Sequence, residues 1–493
     1  MQVTAGNAAG LLRSARRVWD RAVERPVLWV VLVAAAIRIA AAVALNVFDI
    51  WSIAPDADQY LAVAEAKADG RLEDFWLGYG LSLYGSTQSF LAQLSFLFGL
   101  FGPYRFIGQL LAVVYGVAAA GLTTAVSVRL VRRPLALAAG LLVALLPSQV
   151  LFSSVSIRES LIWALLAAAA VVCSRLGPTA GRIRIVTGVA ELAVLFGLLV
   201  SLRVQTAIVA LWCMTLALVV VRGRRRLRIG GAAVLFLLVP LLVGHSPGGV
   251  GFLISSAGRL GTVRTYMAMG AESAITGTEP LVDETVSMAM GAESAIIGTE
   301  PLVDETVSTT VPTGPTNPAT STVQTTMPAG GDAAAYPLTT GGQAGSNILD
   351  RVEYSTPGNQ KFIIDLEGYA VVVHNDLSAN LAAFPQGLLA VTLLPAPWEA
   401  GMSGKRLAAG FESIVWLPLF VLAGVGAWIR RRDIHVVALP ASLVLAVSLS
   451  SAVTQGNLGT AFRHRGQILF ALAILAMAGL QATLDNWRSG RMS

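Results

Sequence analysis

The chain has 493 residues, of which 55% are hydrophobic and 13% are charged, and its mean hydropathy is +0.67. A water-soluble protein carries about twice that charged fraction, so most of this surface must face lipid, which excludes a cytosolic enzyme and a disordered protein. Both cysteines, Cys173 and Cys213, lie inside apolar runs, which excludes a disulfide-stabilised secreted scaffold. The net charge of +6 comes mainly from arginine, but no block resembles a basic groove with interleaved aromatic residues, so no nucleic-acid partner is expected.

The N-terminal segment, residues 1–26, carries five arginines and precedes the first apolar run. No small-residue cleavage site follows that run promptly, so we predict a cytoplasmic segment rather than a cleaved signal peptide. Runs long enough to cross about 30 Å of hydrocarbon at about 1.5 Å per residue predict ten transmembrane helices. These runs are residues 27–46, 106–129, 134–152, 160–176, 185–201, 204–221, 229–245, 413–430, 435–453 and 465–484.

Residues 88–102 are apolar but short for a membrane span. If they crossed, every later loop would change sides, and the arginine cluster at 222–228 would lie outside, against the positive-inside rule. We therefore predict that residues 88–102 lie along the interface or re-enter the membrane, so that all arginine clusters are cytoplasmic. The predicted external segments are the loops 47–105 and 246–412 and the turns 153–159, 202–203 and 454–464.

The predicted fold is an all-α polytopic membrane protein with two membrane modules. A seven-span module, 27–245, contains the external loop 47–105, and a three-span module occupies 413–493. The large external loop 246–412 separates the two modules.

This large loop contains a tandem repeat, because residues 267–287 recur at 288–308 with a single substitution. Two copies cannot form a solenoid, and an insertion in a solvated loop costs little, so we expect the second copy to be dispensable. Residues 309–345 are rich in threonine, proline and glycine and have almost no charge, which predicts a flexible linker. Apolar and β-branched residues return at 348–373, enough for a small strand or helix.

Two carboxylates, Asp56 and Asp58, follow the first predicted span and precede Tyr60. A carboxylate at the outer mouth of a helix bundle is partly desolvated yet reachable from water, which suits a general base or a ligand of a divalent metal ion. Asp58 is also well placed to be only the N-cap of the helical stretch that follows it. Capping does not explain Asp56, so Asp56 is the stronger catalytic candidate.

Further candidates occupy three predicted external turns: Arg158 and Glu159, Arg203, and Arg463 with His464 and Arg465. The adjacent Arg–Glu pair could simply neutralise itself, and a lone arginine at a helix end is often an interfacial anchor. The cations of the last turn oppose the positive-inside tendency, so we expect an anionic partner there. A phosphate matches the arginine fork, and anionic lipid headgroups are the alternative. In an extended turn, Arg463 and Arg465 would face one side and His464 the other.

The order of these features resembles the GT-C superfamily of membrane glycosyltransferases, in particular its protein-mannosyltransferase and aminoarabinose-transferase-like branch. In that family the first external loop opens with an acid four residues before a tyrosine, continues through an alanine to a glycine, and carries helices along the membrane. A second external loop contributes another acid, matched by Glu159, and a large variable loop follows the seventh span. The resemblance covers residues 27–245 and 381–484. The first-loop pattern is matched by Asp56, Tyr60, Ala64 and Gly70.

One departure from the family pattern bears on metal binding. The family often has glutamate directly after the first acid, whereas this chain has Ala57 and displaces the second carboxylate to Asp58. A divalent metal ion at this loop is therefore left open, and no cofactor is assigned.

The resemblance implies transfer of a sugar from a polyprenyl-phosphate donor to a glycan, lipid or protein acceptor on the extracytoplasmic face of the cell membrane. Asp56 would be the general base, and the arginines would stabilise the charge that develops on the departing lipid phosphate. The catalytic candidates are Asp56, Asp58 and Glu159, and the substrate-binding candidates are Tyr60, Arg158, Arg203, Arg463, His464 and Arg465.

Two other functions stay open from the residues alone. A polymerase or ligase of lipid-linked glycans would use the same arginines, but its base need not lie in the first loop. A transporter or flippase of such glycans would need a polar path through the bilayer. Few predicted spans carry an interior charge, Arg38 and Glu191 being the exceptions.

Overall fold

The computed structural model describes residues 16–48, 56–72, 83–85, 87–243, 352–355, 361–364, 370–373, 384–385, 388–389, 391–393, 395–398, 404–454 and 458–490. Almost all of the described chain is helical, as predicted. The tandem repeat 267–287/288–308 and the linker 309–345 lie outside the described residues.

The helices follow the predicted apolar runs. Each of the ten runs overlaps one helix or consecutive helical segments, and the segment 47–105, predicted to be an external loop, adds two more helices. The helices are α1 (Pro26–Val47), α2 (Asp56–Ala68), α3 (Gln88–Phe101), α4 (Arg105–Ser127), α5 (Arg133–Leu145), α6 (Pro147–Phe152), α7 (Glu159–Arg175), α8 (Arg182–Val200), α9 (Val204–Val220), α10 (Arg225–Ala233), α11 (Val239–Leu242), α12 (Gly404–Ile429), α13 (Ile434–Thr454) and α14 (Leu458–Gly490), with a π-helical turn at Val234–Leu238 joining α10 to α11.

Six of the described helices are long and apolar enough to cross a membrane, judged by length and composition. The other four predicted spans fall on helices that are shorter or interrupted, so ten crossings are not established by these criteria. The six candidates are Pro26–Val47, Arg105–Ser127, Arg182–Val200, Ala409–Ile429, Ile434–Ala452 and Arg463–Ser489.

The predicted span 134–152 is broken in its second half. α5 ends at Leu145 and α6 begins at Pro147, with Leu146 extended between them at φ −60° and ψ 126°. Proline causes this break, because it has no N–H to continue the helix and disfavours a helical conformation in the preceding residue.

Arg38 of α1 satisfies the carbonyl side of the break. Its guanidinium donates to the backbone oxygens of Val143 and Ala144 at 3.1 and 2.9 Å, and its Nε donates to Ser153 Oγ at 2.7 Å. These carbonyls would otherwise be unpaired at the end of α5, inside an apolar bundle. The buried charge of Arg38 therefore has a structural role.

Glu412 of α12 satisfies the amide side of the same break. Its carboxylate accepts hydrogen bonds from the Ser148 N–H at 2.8 Å, from Ser148 Oγ at 2.6 Å, and from Trp416 Nε1 at 3.3 Å. The glutamate thus connects the C-terminal module to α6. We call Arg38, Ser148 and Glu412 the break cluster.

α14 lies at the centre of the bundle, and its residues 464–479 are buried almost without exception. It packs against α4, α5, α6, α7, α12 and α13. The crossing with α12 is backbone to backbone, since a Cβ on Gly426 would come within 2.0 Å of the Leu475 carbonyl oxygen, and one on Gly479 within 2.1 Å of the Leu422 carbonyl oxygen. Glycine permits such approach between membrane helices.

Helix ends gather at two opposite ends of the bundle. At the basic end, Arg132 Nη2 pairs with Asp485 at 2.9 Å, Arg129 Nη1 donates to Ser174 Oγ at 3.0 Å, and Arg228 Nη2 donates to the Gly177 carbonyl at 2.7 Å. The predicted cytoplasmic turns are therefore neighbours in space. The remaining helix ends form what we call the site end.

A small sheet is the exception to the helical architecture of the described chain. Strands β1 (Val352–Ser355), β2 (Lys361–Ile364) and β3 (Ala370–Val373) pair antiparallel in the order β1-β2-β3. The register joins Val352 to Ile364 and Lys361 to Val373. It lies within the segment 348–373, where the sequence left strand and helix open.

Candidate functional site

Two turns at the site end meet in a buried ion pair. Glu159 is the first residue of α7, and Arg203 directly precedes α9. Arg203 Nη2 lies 3.6 Å from Glu159 Oε1, and the two side chains are 12% and 2% exposed. Arg158 Nη1 donates to the Leu202 carbonyl at 2.7 Å, which fixes the two turns against each other.

The start of α14 brings two more predicted residues to the same place. The charges of Arg158, Arg203 and Arg463 all act on the His464 ring. His464 Nδ1 is 2.9 Å from Ser451 Oγ, and the Arg463 guanidinium lies 5.8 Å from the centre of the Phe152 ring. Residues from three separate predicted turns therefore form one group, and we call this group the outer cluster. Its members are Arg158, Glu159, Arg203, Arg463 and His464.

The loop 47–105 also reaches the outer cluster, through Tyr60. This side chain is buried, packs edge-to-face on Phe90 with 6.2 Å between ring centres, and lies close enough to Arg203 for its phenol oxygen, if deprotonated, to raise the pKa of Arg203. Asp56 is the first residue of the same helix, four positions before Tyr60, so the two positions share a helix face. The side chain of Asp56 lies outside the described part of the structure.

Asp58 takes a different position from the one its sequence suggests. It is the third residue of α2 and not the residue before it, so the N-cap interpretation is wrong. Asp58 Oδ1 pairs with Arg105 Nη2 at 2.7 Å, and both side chains are substantially exposed. This contact attaches the start of α2 to the start of α4, which is a structural reason for the second carboxylate.

Arg465 does not join the outer cluster. Residues 463–465 lie within a helix, not an extended turn, and successive helical residues point about 100° apart, so Arg463 and Arg465 face different sides. Arg465 Nε donates to the Val391 carbonyl, and its Nη1 donates to Ser413 Oγ at 3.1 Å. Its charge faces Glu412, which extends the break cluster by one residue.

The outer cluster holds more positive than negative charge in a buried place. The pKa of Arg203 is lowered to about 10, mainly by burial and next by the Arg158 charge, while the Glu159 carboxylate opposes both effects. The group contains three arginines and one carboxylate. Such a group is electrostatically suited to an anion.

Four neutral polar residues lie next to the outer cluster, and the sequence predicts no binding role for them, although Gln467 closely follows the cations of the last predicted turn. Gln467 Oε1 accepts from Thr206 Oγ1 at 3.2 Å, and a Cβ on the neighbouring Gly466 would come within 2.4 Å of the Trp163 ring and 2.8 Å of Gln149 Nε2. Neutral side chains inside apolar runs give no charge signal from which such a role could be predicted. We call Gln149, Trp163, Thr206 and Gln467 the inner layer.

Several buried polar atoms without a hydrogen-bond partner within the described chain lie in these two groups. In the outer cluster they are Arg203 Nη1 and Glu159 Oε2, and in the inner layer Gln149 Nε2, Trp163 Nε1 and Gln467 Nε2. A buried unpaired donor or acceptor costs about 1–3 kcal/mol. Several such atoms in one place indicate a site that a polar ligand would complete.

Within the described residues, no three histidine, cysteine, aspartate or glutamate side chains gather as metal ligands would. The divalent ion considered for the first loop thus remains a prediction that depends on Asp56. Comparison with known proteins found no matching family model, no matching curated protein and no matching solved structure.

Proposed function

We propose that this protein is a membrane glycosyltransferase that moves a sugar from a polyprenyl-phosphate donor to an extracytoplasmic acceptor. The observation that supports it is the outer cluster itself. Arg158, Arg203 and Arg463 come from three separate segments, their charges all act on the buried His464, and Arg203 pairs with the Glu159 carboxylate. An arginine-rich, partly unpaired site at a membrane-protein surface suits a lipid-linked phosphate.

The arginines would stabilise the leaving group. When the bond between the anomeric carbon and the phosphate oxygen breaks, negative charge develops on the lipid phosphate, and fixed cations lower the energy of that transition state. Arg203 offers Nη1, which has no hydrogen-bond partner within the described chain, and its planar fork fits two phosphate oxygens. Glu159 holds Arg203 in place through the 3.6 Å ion pair.

Asp56 would act as the general base. It begins the helix whose next turn carries Tyr60, and Tyr60 lies near Arg203. A carboxylate at this position would take the proton from the acceptor hydroxyl as that oxygen attacks the anomeric carbon. The inner layer would donate hydrogen bonds to the sugar hydroxyls, since Gln149 and Gln467 each have an amide nitrogen without a hydrogen-bond partner within the described chain.

The orientation follows from the basic end. By the positive-inside rule the turns that contain Arg129, Arg175, Arg228 and Arg430 are cytoplasmic, and the outer cluster then faces the extracytoplasmic side of the cell membrane. The loop 246–412 would share that side. Labelling of single cysteines placed at Thr320 and at Gly223 tests this, since an impermeant reagent should reach only the first.

The decisive experiment compares Asp56→Asn with Asp58→Asn in purified full-length protein. Transfer is measured from a panel of polyprenyl-phosphate sugars, with binding of polyprenyl phosphate as a second readout. We expect Asp56→Asn to cut transfer by about 100-fold or more without changing binding, as loss of a general base does. Asp58→Asn is the matched control and should act weakly, because Asp58 pairs with Arg105.

A polymerase or ligase of lipid-linked glycans would give a different result. It would use the arginines to hold lipid phosphate but need not use Asp56, so Asp56→Asn would stay active while Arg203→Ala failed. Normal transfer in both variants would contradict the transferase and this alternative together.

A further inference from the structure

A groove opens at the basic end, between α7 and α8, on the opposite end of the bundle from the outer cluster. Its volume is about 560 Å³, within the range of small-molecule sites. Most of its wall is aliphatic and comes from three helices. The apolar residues that define it are Leu122, Ala168, Val172, Ala190, Val194 and Leu195.

The groove contains an ion pair, and placing charged side chains within a membrane costs free energy. Arg175 and Glu191 both line it, their charged atoms are 3.9 Å apart, and each side chain is about half exposed. Glu191 stands nine residues into α8, which is about 14 Å along the helix at about 1.5 Å per residue. Charged groups at that depth on an outward surface require a polar partner.

The charge around the mouth of the groove is positive. The charges of Arg175 and Arg184 both act on Arg129, whose pKa is lowered first by burial and then by these two arginines. Arg129 is held by Ser174 Oγ at 3.0 Å. Glu191 neutralises one of the three cations, so two positive charges remain for an incoming anion.

We propose that this groove binds one anionic phospholipid of the cytoplasmic leaflet, with an acyl chain along the aliphatic wall and the phosphate among Arg129, Arg175 and Arg184. Apolar walls leading away from a cationic mouth match a single amphiphile with an anionic head. Along α7 the groove extends from Arg175 to Ala168, about 10 Å at about 1.5 Å per residue, which lies within one leaflet of a bilayer about 30 Å thick. A soluble phosphate compound would leave the aliphatic wall unused.

The test measures lipid binding to purified full-length protein in a neutral detergent, by native mass spectrometry and by thermal unfolding. Dioleoylphosphatidylglycerol is the probe, and dioleoylphosphatidylcholine and inorganic phosphate are the comparison ligands. We expect phosphatidylglycerol to bind more tightly than phosphatidylcholine, and inorganic phosphate to give no shift in the unfolding temperature. Equal binding of the two lipids would overturn the proposal.

Charge variants should act with opposite signs. Arg175→Gln and Arg184→Gln should each weaken phosphatidylglycerol binding about fivefold, as expected for a basic residue near an anionic headgroup. Glu191→Gln should strengthen it, because a carboxylate that competes for the cations is removed. General loss of folding would lower binding in all three variants and would also lower their unfolding temperatures. A Glu191→Gln variant that unfolds at the wild-type temperature but binds phosphatidylglycerol more weakly would contradict the proposal.

A steric variant separates the chain from the headgroup. Ala190→Phe places a ring in the groove without changing charge, and it should abolish the preference for phosphatidylglycerol while the protein still unfolds cooperatively. Retained preference in Ala190→Phe would mean that no acyl chain occupies the groove. None of these residues belongs to the outer cluster, so failure here would leave the transferase proposal unaffected.

Discussion

Two buried charged groups lie near each other in this bundle, and they differ in how completely their polar atoms are paired. In the break cluster, extended by Arg465, no buried side-chain atom of Arg38, Glu412 or Arg465 lacks a partner within the described chain. In the outer cluster and inner layer, Arg203, Glu159, Gln149 and Gln467 each keep an unpaired atom. Both groups place arginine next to glutamate, so the pairing of their polar atoms is the feature that separates a group that stabilises the fold from a candidate ligand site.

The sequence neighbours His464 and Arg465 illustrate this difference. His464 faces the three arginines of the outer cluster, whereas Arg465 bonds to Val391 and Ser413 on the other side of α14. α14 therefore contributes His464 to the outer cluster and the next residue, Arg465, to the break cluster. Charge in an external turn is therefore insufficient evidence of a binding role, and the partners of each side chain decide it.

The largest expected effect is on stability, at Arg38. Arg38→Leu removes the donors to Val143, Ala144 and Ser153, and should lower the free energy of unfolding by about 3–5 kcal/mol, since buried carbonyls lose their partners. Thermal unfolding in detergent measures it, with the exposed Arg71→Leu as the matched control. A fully stable Arg38→Leu variant would show that the break cluster does not support the fold.

The next effect is on activity, at Arg203. Arg203→Lys keeps the charge but loses the planar fork, and should reduce transfer about 100-fold while the unfolding temperature changes little. Arg465→Lys is the control, because Arg465 faces the break cluster, and it should affect stability more than transfer. Equal losses of transfer in Arg203→Lys and Arg465→Lys would contradict the separation of the outer cluster from the break cluster.

A smaller effect is expected at Glu412. Glu412→Gln retains a hydrogen-bond acceptor for Ser148 but removes the negative charge that faces Arg465, so we expect a loss of about 2 kcal/mol in stability. Glu412→Asp, which retains the charge on a shorter side chain, should lose less stability than Glu412→Gln. Chemical unfolding curves of the three proteins under one set of conditions measure the difference, and equal curves would remove Glu412 from the break cluster.

The smallest effect has the opposite sign. The double variant Gln467→Leu with Thr206→Val removes a buried amide nitrogen that has no partner within the described chain together with both partners of the Thr206–Gln467 hydrogen bond, and should raise the free energy of unfolding by about 1 kcal/mol while it weakens donor binding. Gln467→Leu alone is the control and should not be stabilising, because it leaves the Thr206 hydroxyl without its acceptor. A less stable double variant would mean that ordered water or packing already satisfies the amide.

Much of the helical fold could be predicted from hydrophobic runs, because membrane helices must satisfy their backbone hydrogen bonds internally and therefore have characteristic lengths. Pro147, within the predicted span 134–152, is the sequence signal for the break in that helix. The hydrogen bonds that stabilise the break could not be predicted, because Arg38 precedes it and Glu412 follows it by more than 100 residues. Pairing over such distances depends on the tertiary packing.

The outer cluster was largely predicted, since topology puts every second turn at the same end of the bundle. That end therefore holds the Glu159–Arg203 ion pair together with Arg463 and His464 from the start of α14. Arg465 was misplaced because the predicted turn is helical from Leu458, and helical geometry sends alternate residues to different faces. The sequence predicts no role for the inner layer, although Gln467 stands close to the cations of the last predicted turn, because Gln149 and Gln467 are neutral residues whose unpaired atoms are visible only in the structure.

The central position of α14 has a consequence for biogenesis. The ribosome delivers this helix after every helix that surrounds it, so the earlier helices enter the membrane with the polar atoms of Thr206 and Glu412 still lacking their α14 neighbours. Until α14 inserts, membrane chaperones and proteases meet a bundle that exposes these groups to lipid. Synthesis that stops before Leu458 should therefore yield a product that is degraded rather than a partly functional protein.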